Sequence, residues 1–323
     1  MSACCWRHWW DWKCCACSAE LRAVASVSRT LAVVAAASAA GAPRRGPEQG
    51  PGALLGAGLT QALQDAGCAM AGTTLLEAQD APACGTPMHQ RLQACADYAR
   101  RLAERIATLP AAHTALVIGG DHAVAAGSWR GVGVRQGDGG APGLLWIDAH
   151  LDSHTDATTH SGNIHGMPLA ALLGEGAAAL TGLRGPALDP ARTCVLGARA
   201  WEGEERALLQ RLGVRIFEMA EIRRRGLDAV FAEALRIARG KGGGFGVSLD
   251  LDAIDPQQMP AVLCPEAGGI DAGELATALR TLRGCADLRA LEITEYVPAL
   301  DPDGGCARLV IDLACAALGR RSG

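Results

Sequence analysis

The sequence predicts an α/β protein built on a parallel sheet that helices cover on both faces. Two observations carry this prediction: short, continuous apolar runs recur along the chain, and amphipathic stretches with helical spacing lie between them. A continuous apolar run is typical of a strand buried on both faces. Regular alternation of such strands with helices is typical of a parallel sheet between two helical layers.

Eight apolar runs are the predicted strands, and the strongest amphipathic stretches are the predicted helices. The strands cover residues 31–36, 74–76, 115–119, 144–148, 193–196, 215–217, 245–251 and 289–295. The helices cover residues 54–66, 89–109, 203–212, 227–239 and 272–282. The glycine-rich stretches 131–143 and 240–244 are predicted to be loops, because clustered glycines mark turns and loops.

Length and composition exclude several classes of protein. The chain has 323 residues, of which 49% are hydrophobic and 20% charged, and its formal net charge is −4. These proportions are typical of a globular protein. No basic cluster is interleaved with aromatic residues, so we expect no nucleic-acid partner. No apolar run approaches the roughly 18–20 residues of a membrane span, so we expect no membrane partner.

The beginning of the chain differs from the rest. Residues 1–28 hold four of the seven tryptophans and five of the thirteen cysteines, without the apolar core of a secretory signal or the spacing of a zinc site. We predict either a disordered extension or a stretch upstream of the true start there, followed by one domain over residues 29–320. The other cysteines are scattered singly, which is typical of buried thiols in a reducing, cytoplasmic setting.

Carboxylates and imidazoles follow four of the predicted strands. The four segments are Gly-Gly-Asp-His (119–122), Asp-Ala-His-Leu-Asp (148–152), Asp-Leu-Asp (250–252) and Glu-Ile-Thr-Glu (292–295). In parallel α/β sheets, ligands bind at the carboxyl ends of the strands. We therefore expect these four segments to deliver their charges to one edge of the sheet.

Six of these side chains form a candidate set of metal ligands. They are His122, Asp148, His150, Asp152, Asp250 and Asp252. Residues two apart in an extended segment point to the same side, so each Asp-x-Asp or Asp-x-His-x-Asp aims its side chains into one space. Four neighbouring carboxylates are too many for one ion, because like charges repel and shift each other's pKa. Oxygen and imidazole ligands favour Mn²⁺ or a similar ion, and two such ions can activate a shared water.

Taken together, the motifs resemble those of the ureohydrolase family, which comprises arginase, agmatinase, formimidoylglutamase and their relatives. The segments that carry the resemblance are 119–122, 148–152, Ser-Gly-Asn-Ile-His-Gly-Met-Pro (161–168) and Ser-Leu-Asp-Leu-Asp-Ala-Ile-Asp-Pro (248–256). They occur in the family's order. The resemblance extends over residues 30–318 and includes segment 44–51, which is similar to the family's loop after the first strand.

The resemblance implies a three-layer α/β/α sandwich with about eight parallel strands, an assembly of three or six subunits, and two Mn²⁺ per subunit. One ion would be held by His122, Asp148, Asp152 and Asp250. The other would be surrounded by Asp148, His150, Asp250 and Asp252.

The resemblance also implies a reaction: hydrolysis of the guanidino group of L-arginine to urea and L-ornithine by a metal-bridging hydroxide. Glu295 resembles the family's guanidinium-binding carboxylate. Asp152 would take the proton of the hydroxide and pass it to the leaving nitrogen. His165 is a candidate acid/base group, because an unperturbed imidazole titrates near neutrality.

The loop that carries Ser161 and Asn163, both candidate substrate-binding residues, is similar to the arginase version of this segment rather than the agmatinase version. The resemblance implies that Ser161 and His154 lie near the α-carboxylate of the substrate. Glu202 and Glu205 match positions that contact the α-amino group, directly or through water. A zwitterionic amino acid needs both kinds of partner, whereas agmatine lacks the carboxylate.

Three departures from the family pattern leave the substrate open. His154 stands where many arginases have Asn, Cys264 stands where threonine is common near the substrate, and Ala123 replaces the usual serine after Gly-Gly-Asp-His. They leave the metal ligands intact. An agmatinase, a guanidinobutyrase or a formimidoylglutamase-type enzyme is therefore the alternative to a hydrolase of L-arginine.

Overall fold

The computed structural model describes residues 30–78, 86–137 and 140–320, and the prediction for residues 1–28 lies outside them. The described strands are β1 (Thr30–Ala37), β2 (Ala69–Glu77), β3 (Thr114–Gly119), β4 (Gly143–Ile147), β5 (Thr193–Ala198), β6 (Arg215–Glu218), β7 (Phe245–Asp250) and β8 (Leu288–Thr294). The described α-helices are α1 (Gly50–Gly56), α2 (Leu59–Asp65), α3 (Met88–Ala107), α4 (Ala125–Arg135), α5 (Pro168–Leu172), α6 (Ala178–Thr181), α7 (Gly203–Leu212), α8 (Met219–Arg225), α9 (Leu227–Arg239), α10 (Ala272–Leu279) and α11 (Gly305–Leu318).

The eight strands form one sheet in which every neighbouring pair is parallel. Their order is β2-β1-β3-β8-β7-β4-β5-β6. The four central strands are therefore β3, β8, β7 and β4. These are the strands that the charged segments follow, so their carboxyl ends meet at the middle of one sheet edge.

Alternate side chains of each strand enter two different cores. Leu145 and Ile147 of β4 join the core beneath α1, α2 and α8 to α11. Leu144 and Trp146 of the same strand join the core beneath α3, α4, α5 and α7. Both faces of the sheet are thus covered, and the predicted three-layer sandwich around a parallel sheet is confirmed. A strand with apolar residues on both faces reads as a continuous apolar run, which is why the sequence revealed the buried strands. The edge strand β2 is largely exposed, and the prediction covered only residues 74–76 of it.

Two of the predicted helices differ from the structure. The predicted helix over residues 54–66 is interrupted between α1 and α2, where Gly58 has a φ of 95°. That left-handed conformation ends the first helix and suits glycine, which has no Cβ to clash. The predicted helix over residues 272–282 ends as α-helix at Leu279 and continues as a 3₁₀-helix over Arg280–Gly284.

The glycine-rich stretch 131–143 is also partly different, because its first five residues belong to α4. The reason is packing between α4 and α3. A Cβ at Gly127 would lie 2.4 Å from the Ala99 carbonyl oxygen, and one at Gly131 would lie 2.7 Å from that of Ala103. Both glycines permit close approach of the two helices, whereas sequence reasoning assigned Gly131 to a loop. The second predicted loop, 240–244, contains no helix or strand.

Within the described ranges, no helix combines the length and the apolar character that crossing a bilayer requires.

Candidate metal and substrate site

The candidate site lies where the four central strands end. His122 begins a 3₁₀-helix after β3, the segment 148–152 follows β4, Asp250 is the last residue of β7, and Glu295 directly follows β8. Each strand delivers one part of the site, and the sheet holds the parts at a fixed spacing. This is the strand-end position at which parallel α/β proteins bind ligands.

His122 lies at the centre of the deepest part of the site. Its Nδ1 is 3.2 Å from Asp148 Oδ2, 3.1 Å from Asp152 Oδ2 and 3.0 Å from Asp250 Oδ2. The imidazole is fully buried and stacks on Trp146, with the ring centroids 4.0 Å apart. One ring nitrogen therefore faces three carboxylates that come from two different strands.

A second group adjoins the first and shares Asp148 with it. His150 Nδ1 is 3.0 Å from Asp252 Oδ2 and 3.5 Å from Asp148 Oδ1. The ligand atoms of His122, Asp148 and Asp250 lie within 4.8 Å of one another, and so do those of Asp148, His150 and Asp252. The six predicted ligands thus lie together, in two overlapping groups.

Backbone amides and an indole hold the carboxylates of the site in place. The amide of His150 donates to Asp148 Oδ1 at 2.7 Å, and the amide of Asp252 donates to Asp250 Oδ1 at 2.9 Å. Trp146 Nε1 donates to Asp148 Oδ2 at 2.8 Å. The Asp-x-His and Asp-x-Asp spacings therefore do more than point side chains to one side, because each aspartate also accepts from the amide two residues on.

Charge repulsion shifts the titration of this cluster. Burial raises the pKa of Asp152 to about 7, and the charge of Asp148 adds to the rise. Burial, with Asp252 and Asp148 nearby, also raises the pKa of Asp250. Although burial opposes its charge, the adjacent carboxylates of Asp148, Asp152 and Asp250 raise the pKa of His122 well above its usual value. The cluster holds more negative charge than its two imidazoles balance, so it favours bound cations.

Glu295 and His165 form a pair beside this cluster. Glu295 Oε1 accepts from the amide of His122 at 2.8 Å and lies 3.0 Å from His165 Nδ1. Glu295 Oε2 is buried and has no hydrogen-bond partner among the described residues. Although burial lowers it, the hydrogen bond and charge of Glu295 raise the pKa of His165 to about 9. The orphan oxygen is an acceptor that a cationic N–H donor would satisfy.

Glu295 and Asp152 also have unusual backbone conformations. Their φ angles are 70° and 46°, and within residues 30–78, 86–137 and 140–320 they are the two non-glycine residues with positive φ. Such conformations cost of the order of 1–3 kcal/mol each and are found most often at functional sites. The sequence carries no signal of this strain.

Asp121 and Asp255, whose roles the sequence left open, both bind loop amides. Asp121 Oδ2 accepts from Gly41 at 2.7 Å and from Ala42 at 2.8 Å. Asp255 Oδ2 accepts from Gly268 at 3.1 Å and from Gly269 at 3.2 Å. Each aspartate therefore fixes a loop beside the site.

A cavity of about 350 Å³ leads from solvent to the cluster. It is lined by His150, Asp152, His154, Ser161, Asn163, His165, Gly166, Ala200, Trp201, Glu202, Glu205, Asp250, Asp252, Cys264, Glu266 and Glu295. All five residues that sequence reasoning assigned to substrate binding are among them. Trp201 and Glu266 were not predicted, because neither belongs to a recognisable motif.

The predicted substrate-binding residues differ in their exposure and in the hydrogen bonds that they already make. Ser161 is exposed and accepts from the amide of Asn163 at 3.2 Å. His154 Nε2 contacts a carboxylate oxygen of Glu202, whose side chain is 50% exposed. Glu205 is buried, and its two oxygens accept from the amides of Ser153 at 3.1 Å and Glu202 at 3.0 Å. Glu205 thus anchors the loop that carries the other contacts, and its predicted role toward substrate stays a prediction.

The two other departures from the family pattern have different surroundings. Cys264 lines the cavity, where burial and the nearby Glu295 raise the pKa of its thiol to about 12, so it stays a neutral thiol. Ala123 is buried and packs against Gly41. A Cβ added to Gly41 would lie 2.6 Å from the Cβ of Ala123. Ala123 is therefore a packing residue.

The donor set fits divalent cations. His122 Nδ1 is buried without a hydrogen-bond partner, although three carboxylate oxygens surround it. Imidazole nitrogens and carboxylate oxygens without thiolates are the ligands of Mn²⁺ and similar ions. The assignment of each residue as a ligand stays a prediction.

Comparisons with known proteins agree with this site. The model of the arginase family matches residues 29–319. An arginase of Brevibacillus brevis is 33% identical over 297 residues, which cover 91% of this chain and 99% of that protein. An arginase of Bacillus caldovelox is 32% identical over 87% of this chain and 95% of its own length. The crystal structure of arginase from Bacillus cereus matches with a TM-score of 0.81 at 30% identity, over 91% of this chain and all of that one. The resemblance read from the motifs is therefore confirmed: this chain belongs to the arginase family and is a hydrolase of guanidino C–N bonds.

Proposed function

We propose that the protein hydrolyses L-arginine to urea and L-ornithine with two Mn²⁺ bound per subunit. The observation that carries the proposal is the pair of overlapping ligand groups, in which Asp148 belongs to both. One shared carboxylate between two imidazole-containing groups is the arrangement that two adjacent cations need. The named arginases of Brevibacillus brevis and Bacillus caldovelox support the choice of reaction.

His122, Asp148, Asp152 and Asp250 would hold one cation, and Asp148, His150, Asp250 and Asp252 the other. When bound, such a pair supplies a water of lowered pKa as the nucleophile. Asp152 lies at the end of the cavity that holds the ligand cluster, with its Oδ2 3.1 Å from His122 Nδ1. Its carboxylate receives the proton of the attacking water and returns it to the leaving amine.

Glu295 would bind the guanidinium group, because its unpartnered oxygen is a buried acceptor for a cationic N–H. His165 is held 3.0 Å from Glu295 and so lies next to the reacting carbon of such a substrate. In its protonated form it would supply the second proton, which converts the ornithine amine, already protonated once by Asp152, to its ammonium form. Glu295 directly follows β8, and the amide of His165 donates to the carbonyl of Gly41, whose own amide is held by Asp121.

The open end of the cavity would bind the amino-acid part of the substrate. Ser161, Asn163 and His154 supply hydrogen-bond donors for an α-carboxylate, and Glu202 supplies an anion for an α-ammonium group, with Glu205 behind it. A substrate without the carboxylate makes none of these hydrogen bonds, each of which contributes about 0.5–1.5 kcal/mol.

We further propose a cytoplasmic homo-oligomer of three or six subunits as the working form. The singly scattered cysteines of the sequence support a reducing compartment. The oligomeric state follows from the family resemblance alone, and gel filtration with light scattering measures it.

The test of the proposed function is a substrate panel on the Mn²⁺-loaded protein. L-Arginine, agmatine, 4-guanidinobutyrate and N-formimino-L-glutamate are compared by kcat/KM per metal-loaded site. We expect L-arginine to be cleaved most efficiently, with equal amounts of urea and ornithine. A higher kcat/KM for another member of the panel would assign the sister activity instead, and no turnover of any member by protein with two ions bound would refute a ureohydrolase activity altogether.

A further inference from the structure

A buried glutamate lies behind the site and plays no part in the chemistry above. Glu292 belongs to β8 and is fully buried. Its neighbours Leu291 and Ile293 enter the core on one face of the sheet, so Glu292 points to the other face, toward α4. A charged side chain in such a place costs several kcal/mol unless its hydrogen bonds compensate, so its partners are informative.

Ser248 connects Glu292 to the site, and Trp129 is a further hydrogen-bond partner of Glu292. Glu292 Oε2 lies 3.0 Å from Trp129 Nε1 and 2.6 Å from Ser248 Oγ. Ser248 Oγ lies 2.9 Å from His122 Nε2. Each of these side chains is at most 1% exposed. Because these side chains are shielded from solvent, water cannot replace any of their hydrogen-bond partners.

The chemistry of the groups fixes which of them donates. An indole N–H can only donate, so Glu292 Oε2 is an acceptor in its contact with Trp129. The same oxygen accepts the hydroxyl proton of Ser248. Because that proton is engaged, the serine oxygen can serve His122 Nε2 only as an acceptor, and Nε2 must carry the hydrogen.

We propose that Glu292, acting through Ser248, is a positioning residue that sets the tautomer of His122. With its hydrogen on Nε2, a neutral His122 presents a lone pair on Nδ1. That nitrogen is the one surrounded by Asp148, Asp152 and Asp250 at 3.0–3.2 Å. The glutamate thus fixes the ring nitrogen that a cation needs.

The stacked indole of Trp146 also fixes the orientation of the His122 ring. It lies 4.0 Å from the His122 ring and nearly parallel to it, with 13° between the ring planes. The packing prevents the ring from turning to exchange its two nitrogens. The hydrogen-bond chain then decides where the proton lies, while the stacking decides where each nitrogen points.

This inference rests on the proposed metal site, so its test measures Mn²⁺ binding rather than turnover. Titration calorimetry of the metal-free protein with Mn²⁺ alone compares the wild type with Glu292→Leu and Ser248→Ala. In Glu292→Leu, the serine proton has no acceptor except His122 Nε2, which forces the wrong tautomer. Loss of an outer hydrogen-bond partner of a ligand imidazole typically weakens metal affinity about 10–100-fold. We expect that loss at one of the two Mn²⁺ sites, in both variants.

Two further variants separate positioning from general damage to the core. Glu292→Gln keeps an oxygen for Trp129 and Ser248 but removes the charge, and we expect it to retain Mn²⁺ affinity within about tenfold of the wild type, less than the loss of a partner causes. Trp129→Phe removes the other donor to Glu292 and leaves a gap, but keeps the chain from Glu292 to His122. We expect it to lower the melting temperature and to leave Mn²⁺ affinity unchanged. If Glu292→Leu does not fold, the inference is tested by the Mn²⁺ affinities of Ser248→Ala, which should be weakened, and of Glu292→Gln, which should be largely retained.

The outcomes are distinguishable. Wild-type affinity in folded Glu292→Leu or Ser248→Ala would overturn the inference and leave the proposed function standing. A loss in Glu292→Gln as large as in Glu292→Leu would also overturn it, because charge rather than hydrogen-bond direction would then matter. A wild-type protein that binds no Mn²⁺ would instead contradict the proposed function.

Discussion

The deep end and the open end of the cavity are built differently. At the deep end, His122, Asp148 and Asp250 are at most 3% exposed, and they follow central strands of the sheet. At the open end, Ser161 and Glu202 lie on loops and are exposed. A charged cluster on rigid strand ends is suited to hold reactive groups in place, whereas exposed loop side chains can change without loss of the fold.

This difference separates the chemistry from the choice of substrate. All six predicted ligands belong to the deep end, where the sequence matches the family motifs. Two of the three departures from the family pattern, His154 and Cys264, are not predicted ligands, although they line the same cavity. Changes at the deep end should therefore affect turnover and metal binding, and changes at the open end should affect discrimination between substrates.

The largest effect is expected for Asp252→Ala at the deep end. It removes a carboxylate 3.0 Å from His150 Nδ1, and the remaining residues hold one ion poorly. We expect metal analysis to show loss of about one ion per subunit and kcat to fall by about 10³-fold or more, equivalent to about 4 kcal/mol.

Asp255→Asn is the matched control for this variant. Asp255 lies three residues further along the same motif, but it binds the amides of Gly268 and Gly269. Its metal content should equal that of the wild type. Full metal content and turnover in Asp252→Ala would contradict the division between the two ends of the cavity.

His165→Asn should produce the next largest effect. It removes a candidate proton donor without removing a predicted ligand, so we expect kcat to fall by about 10²–10³-fold while two Mn²⁺ remain bound. Steady-state kinetics and metal analysis on the same preparation measure both quantities. Loss of metal in this variant would show that His165 belongs to the ligand set.

The metal-free protein should reveal the His165–Glu295 pair through its pH-dependent stability. The pKa of His165 is raised to about 9 in the folded chain, chiefly by Glu295 acting against burial, and is about 6.5 when unfolded. A raised pKa stabilises the fold fully below pH 6.5, and this contribution disappears as the pH rises through about 9. It amounts to about 3 kcal/mol at most.

Urea unfolding in EDTA measures this contribution. The free energy of unfolding of the wild type, minus that of His165→Asn, should shrink between pH 6 and pH 10. Because both proteins contain the same other titrating groups, the subtraction removes much of their contribution. A difference that stays constant over this range would mean that the pair contributes nothing to stability through charge.

The smallest effect is expected for Asn163→Asp at the open end. The new carboxylate would repel the α-carboxylate of arginine, and we expect KM for L-arginine to rise about tenfold, equivalent to about 1.4 kcal/mol, with kcat unchanged. Agmatine, which has no carboxylate, is the internal control, and its kcat/KM should not fall. An equal loss with both substrates would place Asn163 away from the carboxylate.

Sequence patterns were sufficient for most of the fold and for the deep end of the site. The strands inside the sheet are visible because they are buried on both faces, whereas the exposed edge strand β2 was predicted only over residues 74–76. The motifs are visible because ligands two residues apart share one side of an extended segment. Helix boundaries were less predictable, as the break at Gly58 and the helical glycines of α4 show. Glycine ends a helix in one place and allows two helices to touch in another, and only the neighbouring element decides which.

The sequence by itself determined the parallel α/β architecture, the family and the types of residue that meet at the sheet edge, because these depend on local periodicity and on short motifs. Only the tertiary structure decided that Asp148 is shared between two ligand groups, that Glu295 has a buried oxygen without a partner, and that Glu292 reaches His122 through Ser248. Those contacts join residues that are far apart along the chain. Their geometry depends on strand order and register, which no local pattern encodes.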